Sequence, residues 1–493
     1  MHILKTDKKS LSFCIFTAVL PAVFAFITVL FFAFDQSMLS TDQRVFSADI
    51  ISVTAVALSC FGAFFAYKQG KLNPQFVVIL LVVIGFFMRL SYITEYGYYQ
   101  HQHDVESLKS SGHLSYIYNL SIGNGLPETN AWQYSHPPFY HILAAAVVKL
   151  STACGFSFDR AFENVQLLTL MFSFLILAVS VALFEELKLR GKALISVVAL
   201  VSLHPTFFIF AGSINNDCLM MLLSLCAVLF LVKWWNRPTL CNALLIGLFL
   251  GLGMMTKFSV ALLAVVTAVV VIVKLLSDKT YKFGKFLLQT TAFLAVVLPM
   301  GLWYQIRNSV KFDQPLGYIA PIPETSDLFI GNISFAERIL LPFPTQPIDI
   351  HVDVWEEYNL FSYVLRNSMF GEYAIGNKVY ALFLVIFNLV VVLLSVLGVV
   401  SVFKKGRTLL TDADWIIVLV LTVQVAFFVY FNASYPFGCT MDYRYIPLTA
   451  VCSACLLGKI VGNESEGVFS RVLALLSEVA VGGFCVFSVL TYI

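Results

Sequence analysis

Residues 95–136 read EYGYYQHQHDVESLKSSGHLSYIYNLSIGNGLPETNAWQYSH, a polar island in a chain that is otherwise a succession of apolar runs. The island holds Asp104 and Glu106 as an Asp-x-Glu pair, with His101, His103, His113 and His136 around them. Charge beside a bilayer is costly unless it is paired, hydrated or used, so carboxylates and imidazoles gathered in one segment mark a functional loop. The island ends at His136-Pro137-Pro138 and opens onto an apolar helix.

The sequence around the island fixes the fold class. The chain has 493 residues, of which 59% are hydrophobic and 12% charged, whereas a soluble domain carries about 25% charged residues. Apolar runs long enough to cross a hydrocarbon core of ~30 Å recur along its whole length. The expectation is an all-α polytopic membrane protein. The net charge of +2 comes without a basic stripe, so no nucleic-acid partner is expected. The N-terminal MHILKTDKKS precedes an apolar run over 11–34 that is too long for the core of a cleaved signal, and it reads as a first anchor. Ten cysteines are present. Cys452 and Cys455 form a CxxC inside a span, with no imidazole near in sequence, and read as small buried side chains.

About thirteen spans are expected, over 11–34, 48–66, 76–94, 164–184, 193–211, 218–235, 240–255, 258–276, 286–304, 379–402, 414–431, 445–461 and 470–491. Lysine and arginine in short loops orient them. Lys5, Lys8 and Lys9 place the N-terminus in the cytoplasm. Lys68 and Lys71 mark the next inner loop, followed by Lys188, Arg190 and Lys192, then Lys279, Lys282 and Lys285, then Lys404, Lys405 and Arg407. Segment 95–163 therefore starts and ends outside. Its apolar part, 137–152, is interrupted by His141 and Lys149 and suits a helix lying in the outer interface, with Pro137 and Pro138 in its first turn. Three other segments face outward: 212–217, 305–378 and 432–442. The domains follow: 1–70 with two N-terminal spans, 71–310 as the core with outer loop 95–136 and interfacial helix 137–152, 311–378 as a large outer loop, and 379–493 as the C-terminal spans.

Asp104 and Glu106 can hold a metal or deprotonate a hydroxyl, or simply solvate the loop. Lys257, Arg307 and Arg444 all stand at outer ends of spans, against the positive-inside bias. Each alone is a headgroup anchor; together, beside an acidic loop, they form an anion site suited to a lipid-linked phosphate. Asn216 and Asp217 either cap the following helix or meet sugar hydroxyls. His101, His103 and Asp104 could bind a metal, since alternating residues of an extended strand share one face, but the spacing is not diagnostic and no third imidazole is fixed beside them, so no metal site or cofactor is assigned. His204-Pro205 reads as a kink in a core helix.

These features resemble the GT-C superfamily of membrane glycosyltransferases, in the branch of the dolichyl-phosphate-mannose protein mannosyltransferases and the bacterial aminoarabinose transferases. The resemblance rests on Gln102-His103-Asp104-Val105-Glu106, His136-Pro137-Pro138-Phe139-Tyr140, Asn215-Asn216-Asp217, Thr256-Lys257, Trp303 to Asn308, and Asp442-Tyr443-Arg444-Tyr445. It covers roughly 76–461. Two extra spans precede the acidic loop, and the acidic pair is Asp-x-Glu rather than two adjacent acids. The resemblance implies a GT-C-like fold and an inverting transfer of a sugar from a polyprenyl phosphate to an acceptor hydroxyl of a protein, lipid or glycan, on the extracytoplasmic face. It implies Asp104 as general base with Glu106 beside it, and Lys257, Arg307 and Arg444 on the donor phosphate. His103, His113, His136, Tyr134, Asn216 and Asp217 are then the candidates for substrate contact. A secondary transporter is the rival of a different class, although the chain shows no internal repeat. A glycan polymerase or ligase is the rival within the enzymes.

Overall fold

The computed structural model describes residues 20–33, 38–339, 358–373, 376–403, 413–462 and 468–493. Lys5, Lys8 and Lys9, the start of the expected span 11–34, and Lys404, Lys405 and Arg407 lie outside the described residues. The described chain is helical, and its one extended pairing is an isolated bridge between Phe329 and Phe437.

The first helices are α1 (Leu20–Ala33), α2 (Thr41–Lys68) and α3 (Pro74–Glu95). Ser40 and Gln43 close a capping box at the start of α2, and Asn73 caps α3 with Pro74 in the first turn, where a missing amide donor costs nothing. The polar island follows and contains α4 (His113–Ser121). Next come α5 (Phe139–Ala153), α6 (Phe158–Glu186), the broken pair α7 (Gly191–Ser202) and α8 (Pro205–Gly212), α9 (Asp217–Asn236), α10 (Leu240–Met254), α11 (Leu262–Ser277) and α12 (Phe283–Phe312). The second large loop holds α13 (Phe335–Ile339) and α14 (Leu360–Phe370), and the chain closes with α15 (Lys378–Phe403), α16 (Asp414–Ser434), α17 (Leu448–Val461) and α18 (Val468–Thr491).

Among the described residues, nine helices are long and apolar enough to cross a membrane, or ten with α7 and α8 counted as one span. The all-helical polytopic expectation is borne out. Each expected span contains an apolar helix, but α1, α10 and α17 are shorter than the rest. A helix rises about 1.5 Å per residue, so fourteen or fifteen residues fall short of ~30 Å, and length alone does not carry the count of thirteen.

The core is built around α9, whose span is 83% buried. It packs against α6 and α10, and α10 packs closely on α12. A Cβ on Gly247 would meet the Phe293 carbonyl oxygen at 3.0 Å, and one on Gly251 would meet the Met300 Cβ at 2.9 Å. Glycines four residues apart thus allow two helix backbones to approach, which is how helices gain contact in a solvent as apolar as themselves.

The expected kink at His204-Pro205 is a break of 42° between α7 and α8. Proline removes a donor there and frees carbonyls that lipid cannot satisfy. Arg89 of α3 supplies the donors. It is fully buried, and its guanidinium reaches the Ser202 carbonyl at 2.8 Å, the Val201 carbonyl at 3.4 Å and the Ser173 hydroxyl at 2.9 Å. Ser488 of α18 donates to the Leu203 carbonyl.

The bundle has two unlike ends. Lys188, Arg190, Asp414 and Lys459 gather at one of them, where Lys459 meets both Asp414 and the Leu187 carbonyl and a cavity of about 680 Å³ opens. The polar island, the start of α9, the turn after α10 and the start of α17 meet at the other. Cys452 and Cys455 are buried, unbridged members of α17, as their setting in an apolar run implied.

Candidate active site

The island is tied down at its most acidic point. Gln102 donates from Nε2 to the Gly212 carbonyl at 2.8 Å and accepts the Ile214 amide at 2.7 Å, which latches the loop onto the chain leaving α8. Two residues on, the Asp104 carbonyl accepts the His113 amide at 2.9 Å and the Val105 carbonyl accepts the Leu114 amide at 3.2 Å. The free donors at the start of α4 are thereby used to hold the acidic segment. Only glycine fits at the join: a Cβ on Gly112 would sit 2.5 Å from the Val105 carbonyl oxygen and 2.8 Å from that of Asp104. Asp104 itself has φ 58°, with His101 at 51° and Glu106 at 48°. A non-glycine residue in that region costs about 1–3 kcal/mol, and the latches on both sides of Asp104 are what maintain it.

Two further segments come to meet this carboxylate. Asn216 donates to the Thr256 carbonyl at 3.0 Å and so brings the turn after α10 against the start of α9. There Lys257 Nζ lies 2.5 Å from Asp217 Oδ1. Asp217 is thus the partner of a cation rather than the cap of α9, and its own amide is taken by Asn215. From the late loop, Asp442 Oδ1 accepts the Arg444 amide at 2.9 Å, and Asn367 of α14 accepts the Tyr443 amide at 2.8 Å. These bonds aim Arg444 at Asp104, with Nη1 2.8 Å from Oδ2, and leave it 3.7 Å from Asp217 Oδ2. The Tyr445 ring lies beneath both cations, 4.7 Å from Lys257 Nζ and 5.3 Å from the Arg444 guanidinium carbon.

A third layer lies behind. His103 Nδ1 is 3.1 Å from Glu372 Oε2 and 3.8 Å from Asp442 Oδ2, and Tyr363 of α14 donates to the other oxygen of Glu372. Burial alone would raise the Asp104 carboxyl, but the Arg444 guanidinium, with help from His113 and His103, holds it well below the usual carboxylate range. Burial and Arg444 push His103 down, yet the Asp442 and Glu372 carboxylates outweigh them and raise it. Burial holds His136 down to about 4, with Lys257 adding, and keeps His113 well below its ordinary value.

Of the residues expected from sequence, Asp104, His103, Asp217, Lys257 and Arg444 converge, and Asn216 positions them. His113 is buried within hydrogen-bond distance of His141, 2.9 Å from Nδ1 to Nε2, and His136 stacks beyond it at 6.5 Å between ring centres. Three placements differ from expectation. Glu106 is exposed and forms no ion pair with a described residue. Arg307 does not join the other cations; it donates to the Pro127 carbonyl and to Asn308, and lies over Tyr304. Tyr134 spends its hydroxyl inside the loop on Ser115 and Asn119. Sequence reasoning missed Glu372, which stands alone at the end of α14 with no motif around it, and passed over Asp442 although it begins the quoted Asp442-Tyr443-Arg444-Tyr445.

Residues 135–303 match the sequence profile of the family described as dolichyl-phosphate-mannose-protein mannosyltransferase. The matched segment contains His136, Asn216, Asp217 and Lys257 and excludes Asp104 and Arg444. The lipopolysaccharide core galacturonosyltransferase RgtA of Rhizobium johnstonii is 24% identical over 169 residues, covering 34% of this chain. The match spans about a third of the length of that relative, 33%. Two solved structures align with 84% of this chain and 75% of their own: ArnT from Cupriavidus metallidurans in the apo state, with a TM-score of 0.46 and 12% identity, and the same protein bound to undecaprenyl phosphate, with 0.43 and 13%. The resemblance to GT-C membrane glycosyltransferases read from the sequence is borne out by the family match.

Proposed function

We propose that the chain is a glycosyltransferase that moves a sugar from a polyprenyl phosphate to an acceptor hydroxyl, with inversion, on the extracytoplasmic face of a cell membrane. The observation that carries this reading is the pairing of Asp104 with Arg444, beside Lys257 and Asp217, at one end of a bundle of apolar helices. A guanidinium and an ammonium held at that level suit the oxygens of a lipid-linked phosphate. Asp104 is partly open to solvent, where an acceptor hydroxyl can reach it.

In this reading the donor phosphate takes over the Nη donors of Arg444, with Lys257 as second cation. Arg444 then neutralises the leaving group rather than Asp104, and the Asp104 carboxylate regains basicity. It takes the proton of the acceptor hydroxyl while that oxygen attacks the anomeric carbon. A carbon–oxygen bond forms on one face, the bond to the phosphate oxygen breaks on the other, and the phosphate departs as an anion held by the two cations. No acid is needed for the leaving group. Orientation is argued from the loops: Lys188, Arg190 and Lys192, and Lys279, Lys282 and Lys285, join helices at the end away from Asp104, which by the positive-inside rule is cytoplasmic.

The test is transfer of radiolabelled sugar from a polyprenyl-phosphate donor by the purified protein in liposomes. Product with an inverted anomeric bond is expected, and Asp104→Asn is expected to lower the rate by ~10²–10⁴-fold. Uptake of solute without any transfer would replace this reading by a transporter.

A further inference from the structure

We propose that His103, Glu372 and Asp442 form a binding site for one divalent transition-metal cation, Zn²⁺ by preference, behind the Arg444 guanidinium. The three side chains come from the first outer loop, the end of the second and the late loop, and each offers one atom. Nδ1 of His103, Oε2 of Glu372 and Oδ2 of Asp442 all lie within 4.8 Å of one another, with His103 at 3.1 and 3.8 Å from the two oxygens. Ligand atoms around a tetrahedral ion with bonds of about 2.1 Å stand about 3.4 Å apart, so small side-chain shifts close the set.

Three independent features point to a cation rather than to a closed polar network. Asp442 is 2% exposed, and its Oδ2 accepts no hydrogen bond: Arg444 Nε lies 3.1 Å away but at a geometry that makes none, and both atoms are left without a hydrogen-bond partner. Buried carboxylate oxygens are seldom left so. The contact network joins the carboxylates of Asp104, Asp217, Glu372 and Asp442 but only two permanent cations, Arg444 and Lys257. A protonated His103 offsets one of the two excess negative charges, while a divalent ion on a neutral His103 offsets both. Beside the triad a cavity of about 20 Å³ is lined by His103, Asp442, Arg444, Ser213 and Asn367. That is roughly the space of one water, which fits a fourth ligand in an open position.

One imidazole with two carboxylates suits Zn²⁺ or Mn²⁺ better than Mg²⁺, which demands near-octahedral oxygen ligands. The cation shares Asp442 with Arg444, so its loading fixes the residue whose backbone and carboxylate aim the guanidinium at Asp104. The sequence alone assigned no metal because its ligands lie on three separate loops.

Metal content decides this without any assay of transfer. The purified full chain is stripped with EDTA, exposed to Zn²⁺ alone, freed of unbound ion and analysed by mass spectrometry for metal. One Zn²⁺ per chain is expected, with at least a tenfold loss of retained metal in both His103→Ala and Glu372→Gln and no loss in Glu128→Gln. Co²⁺ in place of Zn²⁺ should give a visible absorption spectrum in the wild type that both variants lack. Glu372→Gln keeps the shape and the Tyr363 contact, so it reports on ligation should His103→Ala fail to fold. Absence of stoichiometric Zn²⁺ or Mn²⁺ in the wild type, or retention unchanged by both substitutions, overturns the site.

Discussion

Arg444 Nη1 lies 2.8 Å from Asp104 Oδ2 although 340 residues separate them in the chain. Each silences the other: the guanidinium lowers the basicity of the carboxylate, and the carboxylate occupies the donors a phosphate would use. A ligand that draws Arg444 away activates Asp104 by that act.

Arg444→Ala should therefore raise the donor concentration needed for half-maximal transfer by at least tenfold, since a charge-assisted bidentate contact is lost. Arg444→Lys should recover little, because an ammonium cannot present two parallel donors. Steady-state kinetics against the lipid donor check both; an unchanged donor dependence in Arg444→Ala removes the phosphate assignment.

Gly112→Ala should impair activity without touching any reacting group. The added methyl meets the Val105 and Asp104 carbonyl oxygens, which are backbone and cannot step aside, so the acidic segment must move. A displacement of about 1 Å near the chemistry costs on the order of 10²-fold in rate. Size-exclusion behaviour like that of the wild type together with lost transfer is the expected result; full activity would show that the join tolerates a side chain.

Stability should fall as pH drops from 7 towards 4. Burial holds His101 and His136 down to about 4 and keeps His113 well below its ordinary value, which is 6.5 for an imidazole. At these three imidazoles the unfolded chain binds protons that the folded one refuses, so their protonation favours unfolding; His103, raised by the Asp442 and Glu372 carboxylates, is the one imidazole of the site that works in the opposite sense. Asp104 adds nothing in this window: its depressed carboxyl contributes fully above its ordinary value of 3.8 and weakens only below it. Thermal unfolding in detergent at pH 7.5 and 5 should show the loss, and His136→Gln should flatten part of the slope.

Much of this was legible in the sequence, for definite reasons. Apolar runs and basic loops are local signals, and they located the helices, the break at His204-Pro205 and the turn holding Lys257. Asp217, Lys257 and Arg444 stood out because a charge at the end of an apolar run needs an explanation, and Asp104 because it sits in an Asp-x-Glu pair among histidines. Glu372 did not, since it lies in a long polar loop where a carboxylate is ordinary, and only α14 packing against α8 brings it to His103. Arg307 misled for the converse reason. Its position at a helix end matched the other cations, but which way a guanidinium turns depends on the carbonyl of Pro127, far off in the chain. Arg89 carried no visible role until the carbonyls it serves were in place.

Arg89→Leu should lower stability more than an ordinary substitution of similar size. It leaves the Val201 and Ser202 carbonyls without donors in a buried setting, at about 1–3 kcal/mol for each group. A thermal-shift measurement checks this, and a change no larger than that of Leu203→Ala would argue against the role of Arg89 at the break.

The pair of hydrogen bonds that Gln102 makes with Gly212 and Ile214 has a bearing on how such proteins could be recombined. The loop over 95–136 is not a cassette that can be transplanted between scaffolds by matching its two ends. A graft would have to carry the recipient stretch around 212–214 as well, because the donor loop is keyed to a piece of chain more than a hundred positions downstream. Chimaeras cut only at the loop borders should insert and fold yet deliver the carboxylate to the wrong place.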